Sequence, residues 1–153
     1  MKRRLWVLLA IAATVAVAVA GTLTLSRGSP APSAGAAGSA DPNGVPTVSV
    51  DEVRRDIANG ALVLDVRKDD EWGAGRVVGS IHIPLAEVQD RAAELPKGRT
   101  IVTVCKDGGR SYKAAYALRQ VGYDAVNLDG GLTAWVAAGL PVVDGLGGPG
   151  RIL

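Results

Sequence analysis

The sequence predicts an α/β domain built on a mostly parallel sheet with helices on both faces. Two short, continuous apolar segments, ALVLDV (61–66) and TIVTV (100–104), have the pattern of strands that are buried on both faces. Segments with helical character alternate with the strands, which is typical of parallel sheets. The chain has 153 residues, enough for one domain with a hydrophobic core and an additional segment.

In the first half of the domain, capping and turn-forming residues separate the predicted elements. We expect Asp51 to cap the first helix and Asn59-Gly60 to end it. The acidic segment DDEW favours a short helix that starts near Asp69, because carboxylates stabilise helix N-termini. Pro84 ends the third strand. The elements predicted here are strands at 47–50, 61–66 and 80–84 and helices at 51–58, from 69 onward and at 86–93.

In the second half, an amphipathic helix is predicted after the strand at 100–104. Gly122 stops this helix, and Gly139 ends the last helix of the domain. The domain is predicted to span 47–143, and the last ten residues, 144–153, are predicted to be a flexible tail. The apolar stripe of the amphipathic helix consists of Ala114, Ala117, Leu118 and Val121. The elements predicted here are a helix at 111–121, a strand at 125–128 and a helix at 131–138.

The N-terminal segment, residues 1–25, has the composition of a membrane-targeting sequence. Three consecutive cations precede an uncharged, mostly apolar run from Leu5 to Leu25, and a membrane-spanning helix needs about 20 such residues. The length of the run favours an uncleaved signal anchor, but cleavage after Ala20 is also open. In both cases the domain is expected on the extracytoplasmic side, membrane-anchored or released.

Residues 26–46 are rich in Ala, Gly, Ser and Pro, and we expect them to form a flexible linker.

The net charge of +2 belongs to this N-terminal segment. Residues 1–40 contain four Lys or Arg and no acid, so the remainder has 13 basic and 15 acidic side chains. No basic stripe is left on the folded part. The sequence therefore predicts no nucleic-acid partner.

The only cysteine, Cys105, directly follows the strand at 100–104, in the segment CKDGGRS. In parallel α/β folds, ligands bind beyond the carboxyl ends of the strands. Gly108 and Gly109 permit a turn whose backbone N–H groups, with the next helix N-terminus, hold an anion. These observations predict a site at Cys105. A lone cysteine excludes an internal disulfide.

The side chains around Cys105 bear on its reactivity. Lys106, Arg110 and the helix dipole favour the thiolate, which is the nucleophilic form, whereas Asp107 opposes it. A buried, inert cysteine is the alternative. The charged and glycine-rich neighbours make that alternative the weaker one.

Three motifs together resemble the rhodanese-like (sulfurtransferase) domain family. CKDGGRS (105–111) is similar to the family's active-site loop, Cys-x-x-Gly-x-Arg-Ser. The segments 64–84 and 128–135 are similar to its two other signatures, so that the resemblance covers nearly the whole predicted domain. The resemblance implies a mainly parallel five-stranded sheet flanked by helices. The departures from the family pattern lie in one predicted turn, at Arg76, Val77 and Ser80.

The resemblance also implies a mechanism. Cys105 attacks a small anionic sulfur donor such as thiosulfate, becomes a persulfide, and passes the sulfur to a thiol or protein acceptor by ping-pong kinetics. Lys106 and Arg110 are expected to hold the donor by charge. No metal or organic cofactor is implied. The substrate-binding residues implied by the motif are Lys106, Asp107, Gly108, Gly109, Arg110 and Ser111.

Several other residues invite a functional interpretation. His82, the only histidine, is expected to pack on its strand or to lie at the surface. Asp65 and Arg67 are expected to form a structural ion pair, although they also have positions from which they could line the site.

The second and third motifs contain further structural candidates. Gly130 and Gly131 are expected to make a tight strand-to-helix turn with Trp135 packed behind it. Glu71 and Trp72 are expected to have a structural role in a short helix.

Two other functions compete with sulfur transfer. Cysteine-dependent phosphatases and arsenate reductases need a longer loop than the four residues that separate Cys105 from Arg110. A membrane-tethered module for docking or for sulfur and redox sensing is the second alternative. The intact cysteine loop argues against a purely structural module.

Overall fold

A computed structural model of the chain describes Asp41 and residues 43–153. Five strands form one sheet, and every neighbouring pair is parallel. The strands are β1 Thr47–Val48, β2 Leu62–Asp65, β3 Ile81–His82, β4 Ile101–Val104 and β5 Ala125–Leu128. Their order is β1-β5-β4-β2-β3, which places β4 in the centre. The predicted parallel α/β architecture is confirmed.

Helices follow the strands along the chain. They are α1 Val50–Ala58, α2 Asp69–Ala74, α3 Val88–Arg91, α4 Gly109–Gln120 and α5 Gly131–Ala137, with 3₁₀ turns at Leu85–Glu87 and Ala92–Glu94. The predicted continuous helix at 86–93 is thus divided, because a 3₁₀ turn flanks α3 on each side.

The sheet is buried on both faces, as the apolar strands predict. Side chains alternate across a strand, so β4 contributes to two separate cores. Ile101 packs in one core with Leu118 of α4, and Val102 packs in the other with Leu132 of α5. Cys105 lies in the first of these cores, under α4.

The N-cap of α1 is Ser49, so the prediction of Asp51 at this position is wrong. The Ser49 hydroxyl accepts a hydrogen bond from the Glu52 N–H at 3.4 Å, and the Glu52 carboxylate accepts the Ser49 N–H at 2.8 Å. This reciprocal pair is a capping box. Asp51 lies in the first turn, where its negative charge interacts favourably with the positive end of the helix dipole.

The helix α4 begins two residues before the predicted start, at Gly109, and ends at Gln120. Val121 therefore lies beyond the helix and is 51% exposed, so its assignment to the apolar stripe is wrong. Ala115 is fully buried in its place, next to Ala114. The earlier start puts Gly109 and Arg110 inside the first helical turn.

The segment at 144–153, predicted to be a flexible tail, makes backbone hydrogen bonds to the end of α2. The Gly145 N–H donates to Gly73 O and the Arg151 N–H donates to Ala74 O, both at 2.9 Å. Just before it, Val143 exchanges two backbone hydrogen bonds with Arg76. The prediction of a loose tail is therefore corrected.

The predicted signal anchor at 1–25 and residues 26–40 of the predicted linker lie outside the described residues. Within the described part of the chain, no helix is long and apolar enough to cross a membrane. The last residues of the predicted linker belong to the fold, since Val45 is buried and Pro46 O accepts the Asn127 N–H.

Candidate active site

Cys105 is the first residue after the central strand β4, at the carboxyl edge of the sheet. The chain turns from there into α4 through Gly108, which has a φ of +97°. Glycine adopts this left-handed conformation without the steric cost that a side chain brings. The turn brings the N–H of Gly108, the N-cap residue of α4, back to the cysteine sulfur.

The cysteine sulfur faces two hydrogen-bond donors. The Gly108 N–H donates to Cys105 Sγ at 3.1 Å, and the Ser111 hydroxyl lies 3.4 Å from it. The same hydroxyl lies 2.7 Å from Asn127 Oδ1, so the neutral thiol competes with a stronger acceptor for its single proton. A negatively charged sulfur is the better acceptor. These two donors therefore suit an anionic sulfur, such as that of a persulfide, whereas the Asp107 carboxylate 3.6 Å from Sγ opposes a negative charge there.

Asn127 is a site residue that the sequence analysis missed. Its side chain is buried on β5 and holds the Ser111 hydroxyl beneath the sulfur. A signal existed in the sequence, because a single asparagine interrupts the apolar strand AVNL (125–128). Buried polar groups in such a strand need a partner, and that requirement points to a polar neighbour.

Asp107 lies on the outside of the loop. Its Oδ1 accepts the Gly109 N–H at 3.2 Å and lies 3.6 Å from Cys105 Sγ. The hydrogen bond from Gly109 is the main cause that holds the pKa of Asp107 below its ordinary value. The carboxylate is therefore charged at neutral pH and adjoins the reactive sulfur.

Arg110 is paired with Glu71 of α2. The two guanidinium nitrogens Nη1 and Nη2 lie 2.6 and 2.7 Å from the two carboxylate oxygens. This hydrogen bonding lowers the pKa of Glu71 to about 2 and raises the pKa of Arg110. Glu71 thus fixes a residue of the active-site loop, in addition to the structural role predicted for it. The positive charge of Arg110 is balanced within the protein.

The N-terminus of α5 holds the cysteine loop in place from the side. The Leu132 N–H donates to Cys105 O at 2.8 Å, and the Thr133 N–H and hydroxyl both donate to Lys106 O at 2.9 Å. Gly131 has a φ of +57°, and a Cβ there would lie 2.5 Å from Cys105 O. The predicted glycine turn is therefore confirmed. The missing side chain at Gly131 also lets the start of α5 lie close to the backbone of the cysteine loop.

Trp135 packs behind that turn, as predicted. It is buried in the core beside Leu132, and its indole N–H donates to Pro141 O at 3.1 Å.

Asp65 and Arg67 form the predicted ion pair behind the site. Both side chains are fully buried, and Arg67 Nη2 lies 2.6 Å from Asp65 Oδ2. The same nitrogen donates to Gly75 O at 2.5 Å, at the end of α2. The pair therefore supports the helix that carries Glu71.

His82 has the packing role that its position predicts. Its ring stacks on Trp72, with a centroid distance of 4.8 Å, and Nε2 lies 2.9 Å from Arg67 O. It therefore packs between Trp72 of α2 and the backbone at Arg67.

Residues 49–138, which include the whole cysteine loop, match the family model for the rhodanese-like domain. The chain belongs to the rhodanese-like domain family. A curated relative, the sulfurtransferase of Allochromatium vinosum, is 40% identical over 83 residues, which cover 54% of this chain and 78% of that protein. The thiosulfate sulfurtransferase GlpE of Pseudomonas aeruginosa is 35% identical over 89 residues, which cover 58% of this chain and 81% of that protein.

The solved structures agree on the rhodanese fold. A rhodanese-related protein from Thermoplasma volcanium matches with a TM-score of 0.61 and 31% identity, over 64% of this chain and 97% of that one. Because the rhodanese-like relatives include proteins named as sulfurtransferases, the family membership supports sulfur transfer as the general activity.

Proposed function

We propose that this protein is a sulfurtransferase that carries sulfur as a persulfide on Cys105, from a sulfane donor such as thiosulfate to a thiophilic acceptor. The observation that carries the proposal is the setting of Cys105 Sγ. The sulfur lies at the carboxyl end of the central strand and accepts the N–H of Gly108, the N-cap residue of α4, at 3.1 Å.

In the first half-reaction, the Cys105 thiolate attacks the outer sulfur of thiosulfate. A new S–S bond forms on Cys105 and the donor's S–S bond breaks, so that sulfite leaves with the electron pair. The persulfide that remains carries one negative charge. The first N–H groups of a helix have no acceptor within the helix, so we expect those of Arg110 and Ser111 to donate to this anion.

In the second half-reaction, the acceptor attacks the outer sulfur of the persulfide. Cyanide leaves as thiocyanate and restores the Cys105 thiolate, whereas a thiol leaves as a new persulfide. Cys105 is completely buried, so both substrates must reach its sulfur past the loop at 105–110. The covalent intermediate splits the transfer into two easier steps.

Initial rates of thiocyanate formation from thiosulfate and cyanide test this proposal. The purified full-length protein should give parallel lines in double-reciprocal plots, the signature of ping-pong kinetics. Cys105→Ser should give no turnover above background while keeping the unfolding midpoint of the wild type. Equal rates for the two proteins would overturn the proposal.

The extracytoplasmic location also belongs to this proposal. It is supported by the apolar run from Leu5 to Leu25 behind three cations. Fractionation of cells that express the full chain, combined with the mass of the mature N-terminus, distinguishes an anchored protein from a cleaved one. Recovery of the intact chain from the cytosol alone would refute the location.

A further inference from the structure

The cysteine loop of this protein carries little net positive charge. Lys106 and Asp107 have opposite charges, and the guanidinium of Arg110 is balanced by Glu71 at 2.6 and 2.7 Å. The first turn of α2, which carries Glu71, adds the acids Asp69 and Asp70. A dianion that approaches Cys105 therefore meets no uncompensated cluster of cations.

Besides offsetting the charge of Lys106, Asp107 weakens anion binding through its position beside the sulfur. Its Oδ1 lies 3.6 Å from Cys105 Sγ, so a donor whose sulfane sulfur reaches Sγ comes close to this carboxylate. The same oxygen accepts the Gly109 N–H at 3.2 Å. That N–H belongs to the set of loop donors that would otherwise face a bound anion.

We propose that Asp107 is a specificity residue that selects sulfane donors with a single negative charge over dianionic thiosulfate. This inference rests on the proposed sulfur transfer through Cys105. The donor class is that of organic thiosulfonates, R–SO₂–S⁻, and other monoanionic sulfane compounds.

The chemical step is the same for both classes of donor. The Cys105 thiolate forms a bond to the terminal sulfur, the donor's S–S bond breaks, and the electron pair leaves on a sulfinate, R–SO₂⁻, in place of sulfite. Two negative charges enter this step from a thiosulfonate and three from thiosulfate. The donors thus differ by one charge close to Asp107, with the transferred atom unchanged.

The experiment measures kcat/KM for thiosulfate and for methanethiosulfonate, with cyanide as the acceptor, in the wild type and in Asp107→Asn. Asparagine keeps a side-chain oxygen for the Gly109 N–H and removes the charge, with an amide NH2 group in place of the second oxygen. We expect the wild type to prefer methanethiosulfonate. In Asp107→Asn, the ratio of thiosulfate to methanethiosulfonate should rise about fivefold, the size expected for one solvent-screened charge a few ångströms away.

Asp124→Asn is the matched control. Asp124 precedes β5, at the opposite edge of the sheet from Cys105. Its Oδ2 accepts a hydrogen bond from the Thr100 hydroxyl, and the side-chain oxygen of an asparagine can accept the same bond. This variant loses the same charge and should keep the donor ratio of the wild type. A similar rise in both variants would mean that only the global charge matters and would overturn the inference.

A measurement on the wild type alone keeps the inference testable if the Asp107 variant does not fold. Added salt screens charges, so it should raise kcat/KM for thiosulfate relative to methanethiosulfonate. A fall in this ratio would show a cationic donor site and contradict the inference.

An unchanged donor ratio in Asp107→Asn would also contradict the inference while leaving sulfur transfer intact. Absence of turnover with both donors in the wild type would instead refute the sulfur transfer itself, and the inference with it.

Discussion

Two charged residues of the cysteine loop, Asp107 and Arg110, are already engaged by a neighbour, and this bears on the chemistry of Cys105. Asp107 accepts the Gly109 N–H, and Arg110 is fixed by the two oxygens of Glu71. The sulfur is left with a neutral amide and a hydroxyl as its donors. The positive end of the α4 dipole and the charge of Lys106 therefore remain as the groups that favour a negatively charged sulfur.

The ion pair between Glu71 and Arg110 gives a pH-dependent contribution to stability. The pKa of Glu71 is about 2 in the folded protein, against an ordinary value of 4.5. A lowered folded-state pKa stabilises the protein above the unfolded value, and this stabilisation is lost as the pH falls toward the folded value. Urea unfolding should therefore show that Glu71→Gln costs roughly 1–3 kcal/mol at neutral pH. The cost should shrink as the pH falls from about 4.5 toward 2.

Glu94→Gln is the control for this series. Glu94 also pairs with an arginine, Arg91, but at an exposed site where solvent screens the pair. Its substitution should change the free energy of unfolding far less. If the difference between the wild type and Glu71→Gln stays constant from pH 7 down to 3, the pair does not stabilise the fold.

Sequence reasoning identified Cys105 and its loop, because the strand, the glycines and the arginine are consecutive in the chain. It assigned Glu71 only a structural role, because Glu71 and Arg110 are 39 positions apart and no local pattern joins them. The topology brings them together, since β2 and β4 are neighbours and α2 and α4 follow their carboxyl ends. Such contacts depend on the three-dimensional order of the strands.

The junction between the cysteine loop and α5 gives a prediction about one helix terminus. Gly131→Ala should displace the loop, because a Cβ at 131 would lie 2.5 Å from Cys105 O and 2.8 Å from the backbone nitrogens of Asp107 and Gly108. We expect a loss of about 2–4 kcal/mol in the free energy of unfolding. Thiocyanate formation should fall at least tenfold in protein that is still folded, because Sγ moves away from its donors.

Gly130→Ala is the matched control at the same turn. Gly130 also has a positive φ, +64°, but its Cβ would meet only the Ala134 side chain and backbone of its own helix. This variant should lose stability and keep its activity per folded molecule. If the two variants lose activity equally, the close approach of Gly131 to the loop is not what positions the cysteine.

The boundaries of the elements were less predictable than their type. The strands and their burial follow from continuous apolar segments, and all five strands lie within the predicted ranges. The capping box of Ser49 and Glu52 was present in the sequence as Ser-x-x-Glu, but the neighbouring Asp51 also has capping chemistry. Only the backbone geometry decides between two adjacent candidates.

The C-terminal segment at 144–153 joins the fold through backbone contacts that its amino-acid composition does not predict. The segment is rich in glycine, which predicts flexibility, yet glycine is what permits the backbones to meet. Gly75 has an extended backbone, and a Cβ there would lie 2.4 Å from Arg151 O. Gly75→Ala should therefore release the segment, with faster amide hydrogen exchange at Gly145 and Arg151.

Gly73→Ala is the control for this prediction, since Gly73 lies in the same helix and no atom is within 4 Å of its Cβ position. Alanine there should stabilise the protein by about 0.5–1 kcal/mol through its helix propensity. Exchange at Gly145 and Arg151 should stay slow. Fast exchange of these amides in the wild type would mean that the segment is not held as described.

The most direct test of the account is the mass of the protein after reaction with a sulfane donor in the absence of an acceptor. The full-length wild type should gain one sulfur atom, mapped by peptide analysis to Cys105, and should lose it again when cyanide is added. Cys105→Ser should gain no sulfur, and Gly131→Ala should gain it slowly. A wild-type protein that stays unmodified with thiosulfate and with methanethiosulfonate, or a sulfur atom that also appears on Cys105→Ser, would contradict a persulfide carrier at this site.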